Sequence, residues 1–310
     1  MVEIKNVLVA GTGAIGLMIA GRIFDSGKAD IFILAKDERA QRYKNKGLHI
    51  NDKSYDFKML ATSQSLDKNI DLIIIACKHY SLDTVIEDIE AFVTQDTIIL
   101  SLLNGITSEE IIGKRYGVHR IPLAMSSGSD SQRSGTSVRY THIGKIHFGD
   151  KDALQTKRDD LLKKFFSDCD MPFTYHQNDM LRTLWYKFMM NVGINQTQAL
   201  LGLGYGAFKK GGNNANIYAM QIMEKLMNEA IAVAACNGII LDNNDIEECY
   251  RVFNTLDDNS YTSMCQDIFA KRKTEVEIFA ESVCAMGKAY NIQTPANDFM
   301  CLAIHALEHT

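Results

Sequence analysis

The sequence lacks the features that mark several large classes of protein. Its seven cysteines are scattered and never form a Cys-x-x-Cys pair, which gives no sign of a zinc or dithiol site and favours a reducing compartment. Polar residues such as Asp71, Lys78 and Asn104 interrupt every long apolar run, so no segment is expected to span a membrane. The amino-terminal residues do not have the pattern of a signal peptide, and we expect a cytoplasmic protein.

Charge and histidine spacing argue against two further classes. The chain carries 33 Lys and Arg against 38 Asp and Glu, a formal net charge of −5, and its basic residues are dispersed. A nucleic-acid partner therefore has no electrostatic support. His147 and His176 have no partner at a metal-ligand spacing in the sequence, so we predict no metal site.

Short β-rich runs alternate with amphipathic stretches in the first half of the chain. The predicted strands are Asn6–Ala10, Asp30–Leu34, Asp71–Ala76, Thr97–Leu103 and His119–Met125. This alternation is typical of βαβ units around a parallel sheet. Two more β-rich pieces, Ser137–His142 and Lys145–Gly149, are expected to add an antiparallel hairpin or meander to that sheet.

The second half of the chain is almost entirely helix-forming and contains a single proline, Pro295. Helices are predicted at about 180–200, 214–237, 244–255, 263–271, 275–290 and 296–308. At 310 residues the chain is long enough for two domains. We therefore expect a mostly parallel α/β domain over residues 1–177 and an all-α domain over residues 178–310.

A glycine-rich hexapeptide follows the first predicted strand and opens the first predicted helix. The segment Gly11-Thr12-Gly13-Ala14-Ile15-Gly16 has the spacing G-x-G-x-x-G. In such a loop the first glycine permits a tight turn, the second admits a pyrophosphate, and the third lets the helix approach the strand. A glycine turn without a ligand is the alternative, but the position at the first strand–helix junction favours a dinucleotide.

The end of the second strand bears on which dinucleotide is bound. An acidic residue there suits the ribose 2′-hydroxyl of NAD, whereas a cation suits the 2′-phosphate of NADP. Lys36 stands just behind the strand, with Arg39 and Arg42 nearby, which favours NADP. Asp37 follows directly, so NAD stays open.

Three polar side chains recur at helical spacing in the first predicted helix of the second half. Lys187, Asn191 and Asn195 are spaced i, i+4 and i+8 and so share one helix face, surrounded by apolar positions. Such residues are costly in a buried helix unless they bind something. A polar stripe that emerges into water is the alternative, and Lys187 would then be structural.

A second informative segment runs from Ser263 to Glu277. Ser263 with Gln266 fits a capping box, as does Thr274 with Glu277, so helices are expected to begin at Ser263 and again at Thr274. On this interpretation Ser263 is a helix cap. Glu275 complements the dipole in the first turn of the next helix.

Taken together, these segments resemble the ketopantoate reductase (2-dehydropantoate 2-reductase) family. The resemblance rests on the glycine hexapeptide, Lys78 in Ile75-Ala-Cys-Lys78, Leu103-Asn104-Gly105, the Lys187–Asn195 helix and the Ser263–Glu275 segment, in the family's order. It implies a Rossmann-type domain followed by a helical domain. It also implies NADPH-dependent reduction of 2-dehydropantoate to D-pantoate, a step of pantothenate biosynthesis.

The resemblance also implies a role for individual residues. The implied cofactor-binding residues are Gly11, Thr12, Gly13, Ala14, Ile15, Gly16, Lys36, Lys78, Asn104 and Glu275. The implied substrate-binding residues are Asn104, Asn191, Asn195 and Ser263. Lys187 is the implied general acid and Glu275 its catalytic partner, and hydride and proton would meet between the two domains.

Two departures from the family pattern bear on the substrate. Gln196 and Thr197 follow Asn195 where many members have proline, and the stretch 125–130 differs from a threonine-rich loop. The alternative is therefore a D-2-hydroxyacid dehydrogenase for branched or aromatic 2-keto acids, with NAD or NADP.

A catalytically silent dinucleotide sensor would have no reason to keep the polar helix face. The apolar helix Ile217–Cys236 fits either a homodimer interface or a monomer core.

Overall fold

The computed structural model describes residues 3–62, 66–151 and 156–309, which form two compact units, Met1–Leu181 and Arg182–Thr310. The strands are β1 (Asn6–Ala10), β2 (Asp30–Leu34), β3 (Leu48–Ile50), β4 (Lys53–Tyr55), β5 (Lys58–Leu60), β6 (Leu72–Ile75), β7 (Ile98–Ser101), β8 (Leu123–Ser127), β9 (Gln132–Ser134), β10 (Ser137–Arg139), β11 (Lys145–Gly149) and β12 (Phe173–Tyr175). The helices are α1 (Ala14–Ser26), α2 (Asp37–Lys46), α3 (Leu82–Asp88), α4 (Ser108–Tyr116), α5 (Lys157–Asp168), α6 (Met180–Leu201), α7 (Ile217–Cys236), α8 (Asn243–Asn254), α9 (Ser263–Phe269), α10 (Ala280–Tyr290) and α11 (Pro295–Glu308).

A five-stranded parallel sheet is the centre of the first unit. Its order is β5-β2-β1-β6-β7, so β1 lies between β2 and β6. Strands are added on one side of β1 up to β5 and on the other side from β6, so the strand order reverses at β1. The sheet is buried on both faces: Val7 and Val9 pack into one apolar cluster, Leu8 and Ala10 into another. Burial on both faces explains why these strands read as continuous apolar runs. The expected parallel α/β fold is confirmed.

The two β-rich pieces near residue 140 do not form the hairpin that the sequence predicted. β10 pairs with β9 and, in parallel, with β3, whereas β11 pairs antiparallel with β8 and parallel with β12. They therefore belong to two different sheets. Their partners come from distant parts of the chain, which local alternation does not identify.

The strand predicted at His119–Met125 begins later than expected. Residues Val118–Arg120 form a 3-10 turn, and β8 starts at Leu123. Pro122 precedes it and has no backbone N–H to donate to a ladder, so pairing begins after the proline.

The second unit is helical, from the greater part of α6 to α11, as the sequence predicted. Gly193 on α6 permits close packing, because a Cβ there would lie 2.6 Å from Met227 Cγ on α7. Helix α7 buries side chains such as Met223 and Met227 in the core and leaves Ile217 and Tyr218 exposed at its start. No helix within the described ranges is both long and apolar enough to cross a membrane.

Gln196 and Thr197, which depart from the family pattern, are fully buried, and each donates a side-chain hydrogen bond within α6. Gln196 Nε2 donates to the Val192 carbonyl at 2.7 Å, and Thr197 Oγ1 donates to the Gly193 carbonyl at 2.8 Å. Both side chains therefore bond to their own helix one turn back. The helix continues through this point to Leu201.

Candidate active site

The loop Gly11–Gly16, called the glycine loop below, is shaped by two close backbone approaches. Gly11 has φ +114°, and a Cβ there would lie 2.5 Å from the Ala76 carbonyl group. A Cβ on Gly16 would lie 2.0 Å from the Gly11 carbonyl oxygen. These positions require glycine for the fold itself, since real Cβ atoms do not approach so closely.

Gly13 is glycine for a different reason. A Cβ there would be 3.6 Å from the nearest atom, in ordinary contact, and Gly13 directly precedes the first residue of α1, Ala14. Gly13 is the N-cap residue of α1 and has no side chain to cap it, which leaves the first backbone N–H groups of the helix for a phosphate. This combination fits the pyrophosphate of a dinucleotide.

The Thr12 side chain points into the protein. Thr12 is buried, its Oγ1 lies 2.6 Å from the Tyr43 hydroxyl, and Arg133 donates to the same hydroxyl at 3.2 Å. Burial raises the pKa of Tyr43, but the hydrogen bonds with Thr12 and Arg133 outweigh it and leave the pKa below its ordinary value. Thr12 therefore contributes its backbone to the loop, while its side chain fixes α2 against it.

The predicted cofactor residues of the first unit follow neighbouring parallel strands. The glycine loop follows β1, Lys78 follows β6 and Asn104 follows β7. Because these strands are parallel and adjacent, all three lie at the carboxyl edge of one sheet, beside the point where the strand order reverses. Lys78 and Asn104 are half-buried. Ala14 and Ile15 form the first turn of α1.

Lys36 has a partner that the sequence did not reveal. It directly precedes α2, and its Nζ lies 3.2 Å from Asp88 Oδ2 at the end of α3. The lysine side chain is 60% exposed, so the pair is open to solvent and to a competing anion. Arg39 and Arg42 are exposed on α2, and the side chain of Asp37 lies outside the described part of the structure.

A buried carboxylate supports the loop that carries Asn104. Glu109 is buried; it accepts a hydrogen bond from Ser108 Oγ at 2.8 Å and one from the Ala124 backbone N–H at 3.2 Å. Ser101 and Ser108 share a further hydrogen bond of 2.8 Å between β7 and α4. The network joins both ends of the Asn104 loop to β8. In the sequence, Ser108 and Glu109 indicate only the beginning of a helix, and nothing local predicts their bonds to Ser101 and Ala124.

In the second unit, Lys187, Asn191 and Asn195 lie on one face of α6, called the lysine–asparagine face below. The helix is continuous over all three, so the predicted spacing is observed. Lys187 is half-buried, whereas Asn191 and Asn195 are only 8% and 6% exposed. Two amides at that depth distinguish this face from a solvated polar stripe.

Ser263 does not cap its helix as predicted. The residue before α9 is Thr262, which makes no side-chain capping bond, and Ser263 is the first helical residue and is exposed. The Thr262 N–H instead donates to Gln198 Oε1 of α6 at 2.8 Å in the buried interior. A distant glutamine thus accepts the N–H of the residue that precedes α9 and ties the start of α9 to α6.

Glu275 does not lie in the first turn of an α-helix, as the sequence predicted. It precedes a 3-10 turn, Val276–Ile278, and α10 begins only at Ala280. Thr274 Oγ1 accepts from the Val276 N–H at 3.3 Å, and Glu308 Oε1 of α11 accepts from the Thr274 N–H at 2.6 Å. Glu275 itself is buried. The hydrogen bond from Thr274 to Glu308 anchors this segment to α11.

Two histidines that are far apart in the sequence meet in the first unit. His147 Nδ1 lies 2.9 Å from His176 Nε2, because β11 pairs in parallel with β12. Ser127 Oγ lies 2.9 Å from His147 Nε2, and Asp179 lies 3.1 Å from His176 Nδ1. This hydrogen-bonded chain holds part of the stretch 125–130, where the sequence departs from the family pattern.

Two protein-family models match most of the chain. The model described as ketopantoate reductase PanE/ApbA matches residues 7–153, and the model of its C-terminal domain matches residues 179–308. The chain belongs to the ketopantoate reductase family. It is accordingly an oxidoreductase of an NAD(P)-dependent family, which confirms the resemblance seen in the sequence.

Individual members of the ketopantoate reductase family and a related dehydrogenase resemble the whole chain. The 2-dehydropantoate 2-reductase of Pyrococcus abyssi is 25% identical over 293 residues, 94% of each protein. A D-mandelate dehydrogenase solved with NADH and anilino(oxo)acetate is 25% identical, with a TM-score of 0.85 over 98% of both chains. A ketopantoate reductase from Ralstonia eutropha JMP134 is 20% identical, with a TM-score of 0.82 over 98% of this chain and 99% of that one, and shares the fold.

Proposed function

We propose that the protein catalyses the NADPH-dependent reduction of 2-dehydropantoate to D-pantoate. Residues 1–177 would bind the cofactor, and residues 178–310 would supply the acid and most of the substrate contacts. The lysine–asparagine face is the observation that carries the proposal, since a cation and two buried amides on one helix suit a small keto acid. The relatives named 2-dehydropantoate 2-reductase support this choice of substrate.

The first unit contains residues that fit a dinucleotide. Backbone N–H groups at the start of α1 would hold the pyrophosphate, and the bare Gly13 leaves room for it to approach. Lys78 and Asn104, at the same sheet edge, would contact the cofactor, with Asn104 also near the substrate. Lys36 would bind the 2′-phosphate of NADP, which would compete with Asp88 for the ammonium group.

In this proposal Lys187 is the general acid. Its ammonium group stabilises the negative charge that develops on the keto oxygen and then donates the proton that completes the alcohol. The reduced nicotinamide, when bound, supplies the hydride to C2 of the keto acid. Glu275 orients Lys187 and contacts both ligands.

The neutral donors hold the substrate. Asn191 and Asn195 present amide N–H groups from the buried side of α6, and these can bind a carboxylate or hydroxyl without adding charge. Ser263 is exposed at the start of α9, where its hydroxyl would reach the substrate's polar end. The bond between Thr262 and Gln198 would keep that serine in register with α6.

A D-2-hydroxyacid dehydrogenase activity is the second candidate. The D-mandelate dehydrogenase structure, with its bound NADH and aromatic oxoacid, supports an aromatic or branched 2-keto acid as substrate. The stretch 125–130 and the Gln196–Thr197 pair, both unlike the pantoate-forming pattern, also favour it.

A keto-acid panel tests both candidates. The kcat/KM for 2-dehydropantoate would be compared with those for ketoisovalerate, ketoisocaproate and benzoylformate, each with NADPH and with NADH. We expect 2-dehydropantoate with NADPH to give the highest value. A higher value for benzoylformate or ketoisocaproate would replace the first candidate by the second, and no oxidation of NADPH or NADH with any keto acid would contradict both.

A further inference from the structure

Helices α10 and α11 together carry side chains of the types that bind transition metals. Glu281 lies in the first turn of α10, and Cys301 and His305 lie four residues apart on α11 and so share a face of that helix. One ligand atom from each of the three lies within 4.8 Å of the others. Within the described ranges, this is the one group of three His, Cys, Asp or Glu side chains that meets this distance.

The separations within this cluster are close to those of a bound ion. His305 Nε2 lies 2.8 Å from Glu281 Oε1, and Cys301 Sγ lies 3.9 Å from the same oxygen. In a tetrahedral zinc site, with bonds of about 2.0 to 2.3 Å, neighbouring ligand atoms lie about 3.3 to 3.6 Å apart. The two observed separations fall on either side of that range, so small side-chain movements would complete the geometry.

A carboxylate outside the cluster provides independent support. Glu308 Oε2 lies 3.1 Å from His305 Nδ1, on the side of the ring away from Glu281. A metal-bound histidine commonly donates its other ring N–H to a carboxylate, which fixes the tautomer and the ring orientation. With His305 Nε2 on the ion, Nδ1–H would donate to Glu308 without rearrangement.

We propose that Glu281, Cys301 and His305 bind one zinc-like divalent cation, with water in the fourth position. A thiolate, an imidazole and a carboxylate suit Zn²⁺ or Co²⁺ better than Mg²⁺ or Ca²⁺, which prefer oxygen ligands. Glu281 is exposed, and Cys301 and His305 are half-buried, so an ion can enter from solvent. Neither the sequence comparisons nor the proposed reduction of a keto acid requires this site.

The position of the site indicates what the ion would do. Glu308 faces His305 with one oxygen and accepts the Thr274 N–H with the other, and Thr274 precedes Glu275. An ion that fixes His305 would therefore also fix the anchor of this buried segment. We expect a bound ion to raise the thermal midpoint of unfolding, because a ligand that binds only the folded state stabilises it.

Cobalt titration of the full-length, untagged, chelator-treated protein tests the assignment. We expect one Co²⁺ per chain, with a thiolate-to-cobalt charge-transfer absorption and the visible bands of tetrahedral cobalt. Cys301→Ser should lose the charge-transfer absorption and bind at least about 10-fold more weakly. The matched controls Cys284→Ser, on α10, and Cys236→Ser, an exposed thiol on α7, should keep both the absorption and the affinity.

Three results would overturn the proposal: no charge-transfer absorption in the wild type, its persistence in Cys301→Ser, or its loss in Cys284→Ser. Circular dichroism and the metal-free thermal midpoint verify that each variant folds. Should Cys301→Ser fail to fold, His305→Gln replaces it and must abolish the tetrahedral bands.

A second variant tests the supporting carboxylate. Glu308→Gln leaves all three proposed ligands in place, so it should keep the charge-transfer absorption and weaken Co²⁺ binding by about 10- to 100-fold. Unchanged affinity in Glu308→Gln would contradict the role given to Glu308. Addition of Zn²⁺ should raise the thermal midpoint of the wild type and of Cys236→Ser, and an equal rise in Cys301→Ser would count against the site.

Discussion

The glycine loop and the lysine–asparagine face present two kinds of chemistry. The glycine loop offers backbone N–H groups, and its side chains are absent or, like that of Thr12, turned into the protein. The lysine–asparagine face offers side chains from the middle of a helix, where the backbone groups are used in helical hydrogen bonds. Binding at a backbone site is blocked when a side chain is enlarged, whereas binding or catalysis at a side-chain site is lost when a single functional group is removed. The first unit should therefore be sensitive to added atoms and the second to lost atoms.

The largest expected effect is the loss of one ammonium group from the second unit. Lys187→Ala should lower kcat by about 10²- to 10⁴-fold, the usual contribution of a positioned acid. Steady-state kinetics with the best keto acid of the panel measures it. Lys225→Ala, which removes an exposed lysine of α7, is the control and should leave kcat unchanged. Near wild-type turnover in a folded Lys187→Ala would make Lys187 a structural residue.

Asn195 and Thr197 separate the binding face of α6 from its packed side. Asn195→Ala should lower kcat/KM by about 10- to 100-fold, the value of a hydrogen bond to a charged group. Thr197→Val removes only a bond to the Gly193 carbonyl and should cost about 1 kcal/mol of stability or less, with kcat/KM unchanged. Kinetics and urea unfolding of both variants measure this contrast. The reverse pattern would move substrate binding away from the asparagines.

In the first unit, Gly13 and Gly16 separate a glycine that is needed for cofactor binding from one that is needed for the fold. Gly13→Ala adds a methyl group in ordinary contact, so the fold should survive while dinucleotide binding weakens by about 10-fold or more. Gly16→Ala places a carbon 2.0 Å from the Gly11 carbonyl oxygen and should cost at least about 1–3 kcal/mol of stability. Fluorescence titration with NADPH and thermal unfolding distinguish the two. Full NADPH affinity in Gly13→Ala would contradict the proposed pyrophosphate contact.

Lys36 and Asp88 test cofactor choice. Lys36→Ala should reduce the preference for NADPH over NADH by about 10-fold, because a cation to the 2′-phosphate is lost. Asp88→Asn removes the competing anion and should raise that preference by less than about 3-fold, since exposed ion pairs are weak. The ratio of kcat/KM values with the two cofactors measures both, and Lys44→Ala serves as an exposed control on α2. Equal ratios in wild type and Lys36→Ala would favour an NAD-type site.

The smallest expected effect concerns pH and the stretch 125–130. Burial raises the pKa of Asp130, but hydrogen bonds from Thr141 and His142 outweigh it and lower the pKa to about 2. Because the folded-state pKa lies below the unfolded value, this stabilisation is fully present above about pH 4 and is lost as the pH falls towards 2. Asp130→Asn should therefore lower the thermal midpoint slightly at pH 6, with a smaller difference at pH 3. A constant difference across this range would show that the hydrogen bonds do not depend on the charge.

Local sequence determined the elements whose causes are local. The bounds of β1 and β2 were predicted to the residue, and α6 to within one residue, because apolar runs and helical spacing are properties of neighbouring positions. The glycine loop was recognisable because tight turns demand glycine at fixed offsets. The family resemblance followed from the same local motifs.

Tertiary structure alone decided which distant groups meet. Several contacts join residues many positions apart in the sequence. They include the strand pairings that put β10 and β11 in separate sheets, the Lys36–Asp88 pair, the His147–His176 contact and the hydrogen bond from Thr262 to Gln198. The Glu281–Cys301–His305 cluster arises in the same way from the packing of two helices. Such contacts depend on how the whole chain folds, and patterns among neighbouring residues do not specify which distant segments pack together.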